Sequence, residues 1–427
     1  MNGEISLSSF ATTLIAAGSR DDETMSENLV TDLMNGHATD FVYSTLSLSD
    51  RRLHGVFFSG PSWAKRILSG QKMGKWRRFI DPSVGVGDLL IEVCSSLPLK
   101  SSAHKTIEDW SKRLIAIDLR KSFLDITWLR IQALAVHRHS IEKGQAADLV
   151  FRELPESFMV GDALTMKLDL RQHDCVVMNP PYQRIVSPAH SFVGKGKRSA
   201  AAIHLEHILL QAPPGVGIFA LIPDVLRSGS SYERFRKELR RISDISSFDP
   251  FGAFGIQADI DVAILAAVTR KPTDEKKSAE KETVQVKKVG DFFDVSVGPV
   301  VPHRTPITGQ SYGYLTAKNA VVGKEISSPV EFANYACRLE RGPLVIVRRT
   351  SSPSDKKRAR STLVTCSKAL LVENHLLILK PKDKRVSTCR ALLRVLEDQS
   401  SDIWLNDFIR CRHLTVGSLK QLPWING

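Results

Sequence analysis

A short apolar segment that ends in two consecutive prolines constrains the fold of this chain more than any other feature. Cys175–Met178 is wholly apolar and contains two β-branched valines, which is typical of a strand buried in a parallel sheet. Pro180 and Pro181 cannot continue the strand, because proline has a fixed φ and no backbone N–H. Asn179 and Tyr182 are therefore predicted to lie just beyond the carboxyl end of a strand, where open α/β sheets bind their ligands. An isolated match of this kind can also be a simple Pro-Pro turn.

Acidic residues follow three earlier apolar segments in the same way. Asp81 follows a strand-like segment and begins a loop with Gly85 and Gly87 before a helix, but a carboxylate there would repel the phosphate that such corners usually bind. A cationic or amine-bearing ligand fits this loop better. Asp118, at the end of the second predicted strand, is placed to accept hydrogen bonds from ribose hydroxyls. Asp162 ends a third segment, and together with Asn179 the series predicts one site at one edge of a sheet.

These motifs, Asp81-Pro-x-x-Gly85-x-Gly87, Asp118, Asp162 and Asn179-Pro-Pro-Tyr182, resemble those of S-adenosylmethionine-dependent N6-adenine DNA methyltransferases of the restriction-modification type. The segment Gly55–Pro61 resembles the first motif of this family, with Gly60 as an added residue before the proline. The resemblance implies an α/β fold, namely a Rossmann-like methyltransferase domain with a mostly parallel seven-stranded sheet, followed by a smaller α+β recognition domain.

The resemblance also implies S-adenosylmethionine as the cofactor and assigns parts of it to particular residues. Asp118 would hold the ribose, and Asp162 the adenine amino group. An acid at Asp81 agrees with a ligand that carries a sulfonium and an α-amino group. The complete set of implied cofactor-binding residues is Ser59, Pro61, Asp81, Ser83, Gly85, Gly87, Asp118, Asp162, Ala163 and Asn179.

The implied catalytic residues are Asn179, Pro180, Pro181 and Tyr182. The exocyclic amine of adenine is a poor nucleophile, because its lone pair is delocalised into the ring. Acceptors on the Asn179 side chain and the Pro180 carbonyl would localise that lone pair toward the methyl carbon. Tyr182 would stack on one face of a base flipped out of the duplex. Phe254 resembles the aromatic residue that covers the other face, with Phe251 as a competing candidate.

Basic residues favour a polyanionic partner. Lys and Arg outnumber Asp and Glu by 59 to 46, which gives a net charge of +13. Lys195, Lys197 and Arg198 lie in a glycine-containing segment that suits a loop closing on a phosphate backbone, although a solvated loop has the same composition. Arg348 and Arg349 belong to a basic C-terminal region. With the resemblance, these residues predict double-stranded DNA as partner, and a separate restriction endonuclease or defence-system subunit, because no nuclease constellation is recognisable.

The length of 427 residues exceeds that of one ordinary core. We expect a helical segment over 1–50, a methyltransferase domain over 51–270, a charged linker over 271–289 and a DNA target-recognition domain over 290–427. No apolar run approaches the ~18 residues of a membrane span, and the first residues contain no basic region followed by an apolar core, so we expect neither a membrane span nor a secretory signal. The six scattered cysteines lack metal-binding spacing, so we expect no metal. A cytoplasmic, DNA-associated prokaryotic enzyme is predicted.

Two other classes of function stay open at this point. Enzymes that methylate a glutamine amide in translation release factors use the same Asn-Pro-Pro-Tyr sequence to hold a planar amide, but they are shorter and lack a basic C-terminal domain of this size. A DNA-binding subunit with a decayed, inactive site is the other alternative. Every expected position of the cofactor and catalytic motifs is filled, which argues against decay.

Overall fold

The computed structural model describes residues 60–144, 152–254, 260–272, 287–351, 355–409 and 413–425. The chain divides into two compact units, the first comprising Met1–Arg227 and Ser231–Ser278 and the second Ser228–Ser230 and Ala279–Gly427. The predictions for Ser59, for the segment 1–50 and for most of the charged segment 271–289 concern residues outside the described ranges. None of the described helices combines the length and the apolar character that a membrane crossing requires.

A seven-stranded sheet forms the centre of the first unit, with strand order β3-β2-β1-β4-β7-β9-β8. All pairings from β3 to β7 are parallel, and β9 runs antiparallel to both of its neighbours. The predicted α/β fold class with a mostly parallel seven-stranded sheet is therefore confirmed. The strands are β1 Arg78–Asp81, β2 Leu114–Asp118, β3 Phe158–Val160, β4 Asp174–Met178, β7 Gly217–Pro223, β8 Ser243–Ala253 and β9 Asp261–Thr269.

Helices alternate with these strands and cover the sheet. Every residue of β4 and of β7 is buried, which explains why these strands are apolar runs and do not alternate with polar residues. Gly217 in β7 is required by close packing, because a Cβ atom there would lie 2.5 Å from the Trp76 ring. The helices are α1 Gly60–Leu68, α2 Asp88–Ser96, α3 Ala103–Arg113, α4 Lys121–Lys143, α5 Ala200–Gln211, α6 Val225–Ser228 and α7 Glu233–Ile242.

An antiparallel hairpin of β5 Arg184–Val186 and β6 Lys197–Ser199 lies between Tyr182 and α5. The sequence predicts a loop that closes on a phosphate backbone, or a solvated loop, whereas the structure has paired strands here whose connecting segment contacts α5. Glu206 of α5 is buried and accepts hydrogen bonds from the Ser191 hydroxyl (2.5 Å) and the Phe192 amide (2.6 Å). The segment between the two strands is thus anchored to a helix that follows it in the chain.

The second unit combines two sheets and a few helices, as predicted for a smaller α+β domain. Its five-stranded sheet has the order β10-β17-β14-β15-β12, and its three-stranded sheet the order β13-β11-β16. The strands are β10 Phe293–Val297, β11 Ile307–Leu315, β12 Glu325–Ile326, β13 Phe332–Tyr335, β14 Leu344–Arg348, β15 Ser361–Val364, β16 Leu370–Val372 and β17 Leu376–Pro381. The helices are α8 Val289–Phe292, α9 Val386–Glu397, α10 Gln399–Phe408 and α11 Val416–Gln421.

Candidate active site

The carboxyl ends of β1, β2, β3 and β4 meet at one edge of the sheet. Asp81 and Asp118 are the last residues of β1 and β2, Asn179 comes directly after β4, and Asp162 lies two residues after the end of β3. Strand register holds these ends together, since Asp118 pairs with Val160 and its carbonyl accepts a hydrogen bond of 2.9 Å from the Gly161 amide. The structure therefore brings the four polar residues singled out in the sequence to the same edge.

The loop from Asp81 to Gly87 is fixed by contacts with its neighbours. The Gly85 amide donates a 3.0 Å hydrogen bond to Oδ2 of Asp118, and the Gly85 carbonyl accepts one of 3.0 Å from the Thr127 hydroxyl of α4. Gly87 has a φ of 87° and no room for a side chain, because a Cβ atom would lie 2.5 Å from Cγ2 of Thr127. The loop therefore presents its backbone at the sheet edge without side chains at its two glycines.

Asp88, the first residue of α2, connects this loop to two other segments, and the sequence analysis missed it. Its Oδ1 accepts a 2.9 Å hydrogen bond from Arg130 of α4, and its Oδ2 accepts one of 2.7 Å from the Gly60 amide at the start of α1. Both ionic side chains are buried. The available signal was Arg130 itself, a charged residue between Leu129 and Ile131 in a helix that is otherwise apolar at this point.

Carboxylates concentrate around Asp81. This side chain is 2% exposed and accepts a 3.0 Å hydrogen bond from the Ser83 amide. Burial raises its pKa to about 8, with further contributions from the nearby Asp118 and Asp88 carboxylates. Burial also raises the pKa of Asp118, against the hydrogen bonds from the amides of Arg120 and Gly85. Such a pocket favours a ligand that carries positive charge.

Polar groups around the carboxylates leave some hydrogen-bonding capacity unused. The buried Ser83 hydroxyl has no partner among the residues that the structure describes. Pro61, the second residue of α1, is exposed. Within the described ranges, no group of His, Cys, Asp and Glu side chains is suited to hold a metal ion.

The end of β3 places Asp162 at the surface and Ala163 in the interior. Oδ1 of Asp162 accepts a hydrogen bond of 2.9 Å from the Leu164 amide, so one carboxylate oxygen is already used within its own turn. The exposed carboxylate retains acceptor capacity for a ligand.

Helix α5 runs beside the residues that follow Asp162. Nε2 of His207 lies 3.0 Å from the Met166 carbonyl. One turn earlier, His204 is buried, and burial lowers its pKa to about 4 although the Asp162 carboxylate acts in the opposite direction. The imidazole of His204 is therefore neutral at pH 7, and it was not identified from the sequence.

Asn179 and Tyr182 are joined directly. The Tyr182 hydroxyl donates to Oδ1 of Asn179 at 2.8 Å and lies 3.4 Å from the Leu221 carbonyl. Burial raises the pKa of Tyr182 well above its usual value, so the phenol stays protonated and acts as a donor. Pro180 is buried between them, and Pro181 is half-buried. The amide is thus held by a residue three positions later, across the rigid Pro-Pro segment.

Tyr182, Phe254 and Trp63 form a row of aromatic rings in successive contact. Its ring lies 5.7 Å from that of Phe254, and Phe254 lies 5.5 Å from Trp63 of α1. Phe254 is 8% exposed, whereas Phe251 is 42% exposed and contacts Trp63 instead. The structure brings Phe254 and not Phe251 against Tyr182. The two rings are in mutual contact at an angle of 59°, so a base can enter between them only if they separate.

The basic residues singled out in the sequence lie in both units. Lys195 and Lys197 are exposed on the hairpin, and Arg198 is half-buried. In the second unit Arg348 and Arg349 are both half-buried, and the Arg348 guanidinium donates a 3.2 Å hydrogen bond to the Ala320 carbonyl. Arg348 therefore has an internal contact that the basic sequence run did not indicate.

Comparison with known proteins relates the architecture to restriction-modification enzymes. No protein-family model matches the chain, and no curated protein sequence matches it. The solved structure of the type IIL restriction-modification enzyme MmeI in complex with DNA aligns with a TM-score of 0.53, covering 94% of this chain and 71% of that protein at 10% identity. The chain shares the fold of MmeI. The resemblance to restriction-modification methyltransferases is thereby confirmed at the level of the fold.

Two further similarities are weaker. The type IIG restriction endonuclease BpuSI aligns with a TM-score of 0.45, at 12% identity over 99% of this chain and 70% of that protein. A modification subunit from Vibrio vulnificus YJ016 aligns with a TM-score of 0.41, at 14% identity over 60% of this chain. The aligned part spans about half of that subunit, 51% of its length.

Proposed function

We propose that the chain transfers a methyl group from S-adenosylmethionine to the N6 amine of an adenine at a specific site in double-stranded DNA, within a restriction-modification or related defence system. The observation that carries this proposal is the position of Asn179–Tyr182 at the end of a buried central strand, on the same sheet edge as Asp81 and Asp118. The fold shared with MmeI, whose structure contains DNA, supports the choice of DNA as substrate.

The sheet edge fits S-adenosylmethionine by charge and by backbone access. The cofactor supplies an electrophilic methyl group on a sulfonium, and its α-amino group adds positive charge. Asp81, with a pKa of about 8 and carboxylates as its charged neighbours, is stabilised as an anion by such a ligand. The Ser83 hydroxyl, which has no partner among the described residues, and the backbone of Gly87 belong to the same loop from Asp81 to Gly87.

The remaining cofactor contacts follow the order of the strands. Asp118 accepts from the ribose hydroxyls, and Asp162 accepts from the adenine amino group with Ala163 beneath it. Pro61 of α1 closes the pocket, and the same role for Ser59 stays a prediction, because Ser59 is outside the described residues. Asp88 acts on this pocket as a positioning residue, because it holds the start of α1 against the glycine loop.

Methylation of the adenine amine needs two hydrogen-bond acceptors and the exclusion of water from the reacting atoms. Oδ1 of Asn179, which accepts from the Tyr182 hydroxyl, is an amide oxygen that can accept two hydrogen bonds, and the Pro180 carbonyl supplies the other acceptor. Hydrogen bonds from both N–H groups to these acceptors localise the amine lone pair toward the methyl carbon. Pro181 fixes the backbone that carries these groups.

The flipped adenine stacks between Tyr182 and Phe254 once these rings separate. Phe254 rests on Trp63, so its side of the base site is supported by α1. Lys195, Lys197 and Arg198 of the hairpin, and Arg348 and Arg349 of the second unit, contact DNA. In this proposal residues 51–270 form the methyltransferase domain, 271–289 link the two domains, and 290–427 recognise the target sequence. The enzyme acts in the cytoplasm, and any restriction activity resides in a separate partner subunit.

Expression of the chain in a host that lacks adenine methylation tests the proposal. We expect single-molecule sequencing of the host DNA to reveal N6-methyladenine at one recurring sequence. The matched control is Asn179→Ala, which should leave the same sequence unmodified. Methylation of a release-factor glutamine by the purified chain, with no modified DNA, would instead establish the glutamine-methylating alternative. Sequence-specific DNA binding without any methyl transfer would establish the inactive binding subunit.

A further inference from the structure

The β5–β6 hairpin contains an unusual number of buried polar atoms without partners. Among the described residues, Oε1 of Gln183, Oγ of Ser187, Nε of Arg198 and Oγ of Ser199 are buried and make no hydrogen bond. Ser187 and Ser199 are both more than nine-tenths buried as whole residues. Buried polar groups are normally hydrogen-bonded, so three exceptions within the hairpin and a fourth at Gln183 next to it call for an external partner.

The strand register separates these atoms into two faces. Side chains of paired residues in an antiparallel ladder point to the same face. Arg198 pairs with Ile185, and Ser187 lies two residues beyond Ile185, so Arg198 and Ser187 share one face. Ser199 pairs with Arg184 and belongs to the opposite face. Two unpaired hydrogen-bond donors, Nε–H of Arg198 and the Ser187 hydroxyl, therefore lie on the same side.

The Arg198 side chain packs against Gly194 in the segment that joins the strands. Gly194 and Gly196 have φ values of 115° and 78°, in the region that favours glycine. A Cβ atom on Gly194 would lie 3.0 Å from a terminal nitrogen of Arg198, so the guanidinium packs over the turn. Lys195 and Lys197 are exposed beside it. The Arg198 Nε–H has no partner to lose, so rotation of this side chain away from Gly194 breaks no hydrogen bond at that atom.

The hairpin is held firmly with respect to the catalytic residues. The Gln183 carbonyl, next to Tyr182, accepts a 2.8 Å hydrogen bond from the Ala200 amide. The Ser199 amide donates a 3.0 Å hydrogen bond to the Tyr232 hydroxyl. Together with the anchoring by Glu206, these contacts place the turn at a defined position relative to Tyr182.

We propose that this turn binds a single DNA phosphate next to the target adenine, through Arg198 and Ser187. The proposal deepens the proposed function and rests on it. Phosphate oxygens accept hydrogen bonds from guanidinium and hydroxyl donors. Lys195 and Lys197 beside the turn add a non-directional electrostatic attraction to the phosphate. A phosphate held here fixes the backbone about which the nucleotide rotates, so that the base reaches the Tyr182 ring.

Duplexes with one neutral phosphate test this assignment. After the target sequence has been mapped, each phosphate within about three nucleotides of the target adenine is replaced in turn by a methylphosphonate. We expect one position to lower kcat/KM of the wild-type chain by about tenfold or more, as for loss of a directed charged contact. In the double variant Ser187→Ala/Arg198→Ala, that position should lose its special effect, while the other positions behave as in wild type.

Two matched variants separate a directed contact from general charge. Arg184→Ala removes a cation from the opposite face of the hairpin, and the sensitivity to the one phosphate should be unchanged in this variant. Arg198→Lys keeps the charge but removes the guanidinium fork, and most of that phosphate sensitivity should be lost. Unchanged thermal melting and S-adenosylmethionine affinity establish that the variants fold. Equal phosphate sensitivity in the wild type and the double variant would overturn the inference alone. Absence of adenine methylation on every duplex would overturn the proposed function with it.

Discussion

The Tyr182 hydroxyl donates a 2.8 Å hydrogen bond to Oδ1 of Asn179, the oxygen that is proposed to accept a hydrogen bond from the target amine. An amide oxygen has two lone pairs, so this bond orients the acceptor without using all of it. Tyr182 therefore combines two separable functions, orientation through its hydroxyl and stacking through its ring. Substitutions can remove one function at a time.

Tyr182→Phe should lower kcat by about three- to tenfold, because the Asn179 amide loses a neutral hydrogen bond of about 1 kcal/mol that orients it. Tyr182→Ala should cost about 10²-fold, since stacking is lost as well. Fluorescence of 2-aminopurine at the target position measures base flipping separately. The fluorescence increase on binding should persist in Tyr182→Phe, as in wild type, and should be lost in Tyr182→Ala. Equal kcat values for wild type and Tyr182→Phe would remove the orienting role of the hydroxyl.

Asn179→Ala should abolish most methyl transfer while leaving S-adenosylmethionine binding within a few-fold of wild type. Loss of one acceptor in a transition state typically costs about 10²-fold in kcat. Calorimetry measures the cofactor affinity, and single-turnover methylation measures the chemical step. Asp118→Ala is the matched contrast, because it should weaken cofactor binding first. A variant at Asn179 that retains more than about a tenth of kcat would contradict the proposed chemistry.

The affinity for S-adenosylmethionine should fall as the pH is lowered from 8 to 6. With a pKa of about 8, Asp81 is largely protonated below that pH, and a cationic ligand must displace the proton before it gains the carboxylate. The dissociation constant should therefore rise by up to about tenfold per pH unit. Calorimetry at pH 7 in two buffers with different ionisation enthalpies should show release of up to one proton.

Asp81→Asn provides the control for this pH dependence. The amide cannot titrate, so binding should be weaker at pH 8 and its acid-side dependence should disappear. The variant also has a predictable effect on stability. A carboxyl with a raised folded-state pKa favours unfolding as the pH rises from about 4 to 8, so removing the ionisable group should increase the melting temperature at pH 8 relative to wild type. A decrease at pH 8 would show that Asp81 is stabilising as an anion.

Breaking the buried Asp88–Arg130 pair should destabilise the first unit by about 3 to 5 kcal/mol, because an uncompensated charge remains. Arg130→Met should therefore be more damaging than the double variant Asp88→Asn/Arg130→Met, in which neither charge is left. Chemical denaturation gives the free energies for this cycle. Additive effects would mean that the two side chains do not interact.

Arg348 and Arg349 should differ when each is replaced by Ala. Arg348 donates to the Ala320 carbonyl, so its loss should lower the stability of the second unit as well as any DNA affinity. If Arg349 contacts a phosphate, its loss should weaken binding to all duplexes and reduce the salt slope by about 1. If it reads a base, discrimination against non-target duplex should shrink by about 1 to 3 kcal/mol instead. Competition binding at several salt concentrations distinguishes these outcomes.

Local sequence predicts the parts of the site that depend on neighbours in the chain. The buried strand before Asn179 and the loop from Asp81 to Gly87 follow from apolar runs, prolines and glycines within a few residues. The pair of Asp88 and Arg130 spans 42 residues, so no local pattern encodes it. Likewise, Trp63 packs against both Phe254 and Phe251, and the tertiary contact with Tyr182 is what distinguishes Phe254.

The anchoring of the hairpin by Glu206 sets a rule for exchanging this hairpin between related enzymes. A graft that takes only the turn and its two strands would separate Ser191 and Phe192 from the carboxylate that binds them, unless the recipient supplies an equivalent acid. Buried hydrogen-bond donors without an acceptor are costly, so such chimaeras should fold poorly. The exchanged segment should therefore begin before Gln183 and end beyond Glu206, so that the hairpin and its anchoring residue are transferred together.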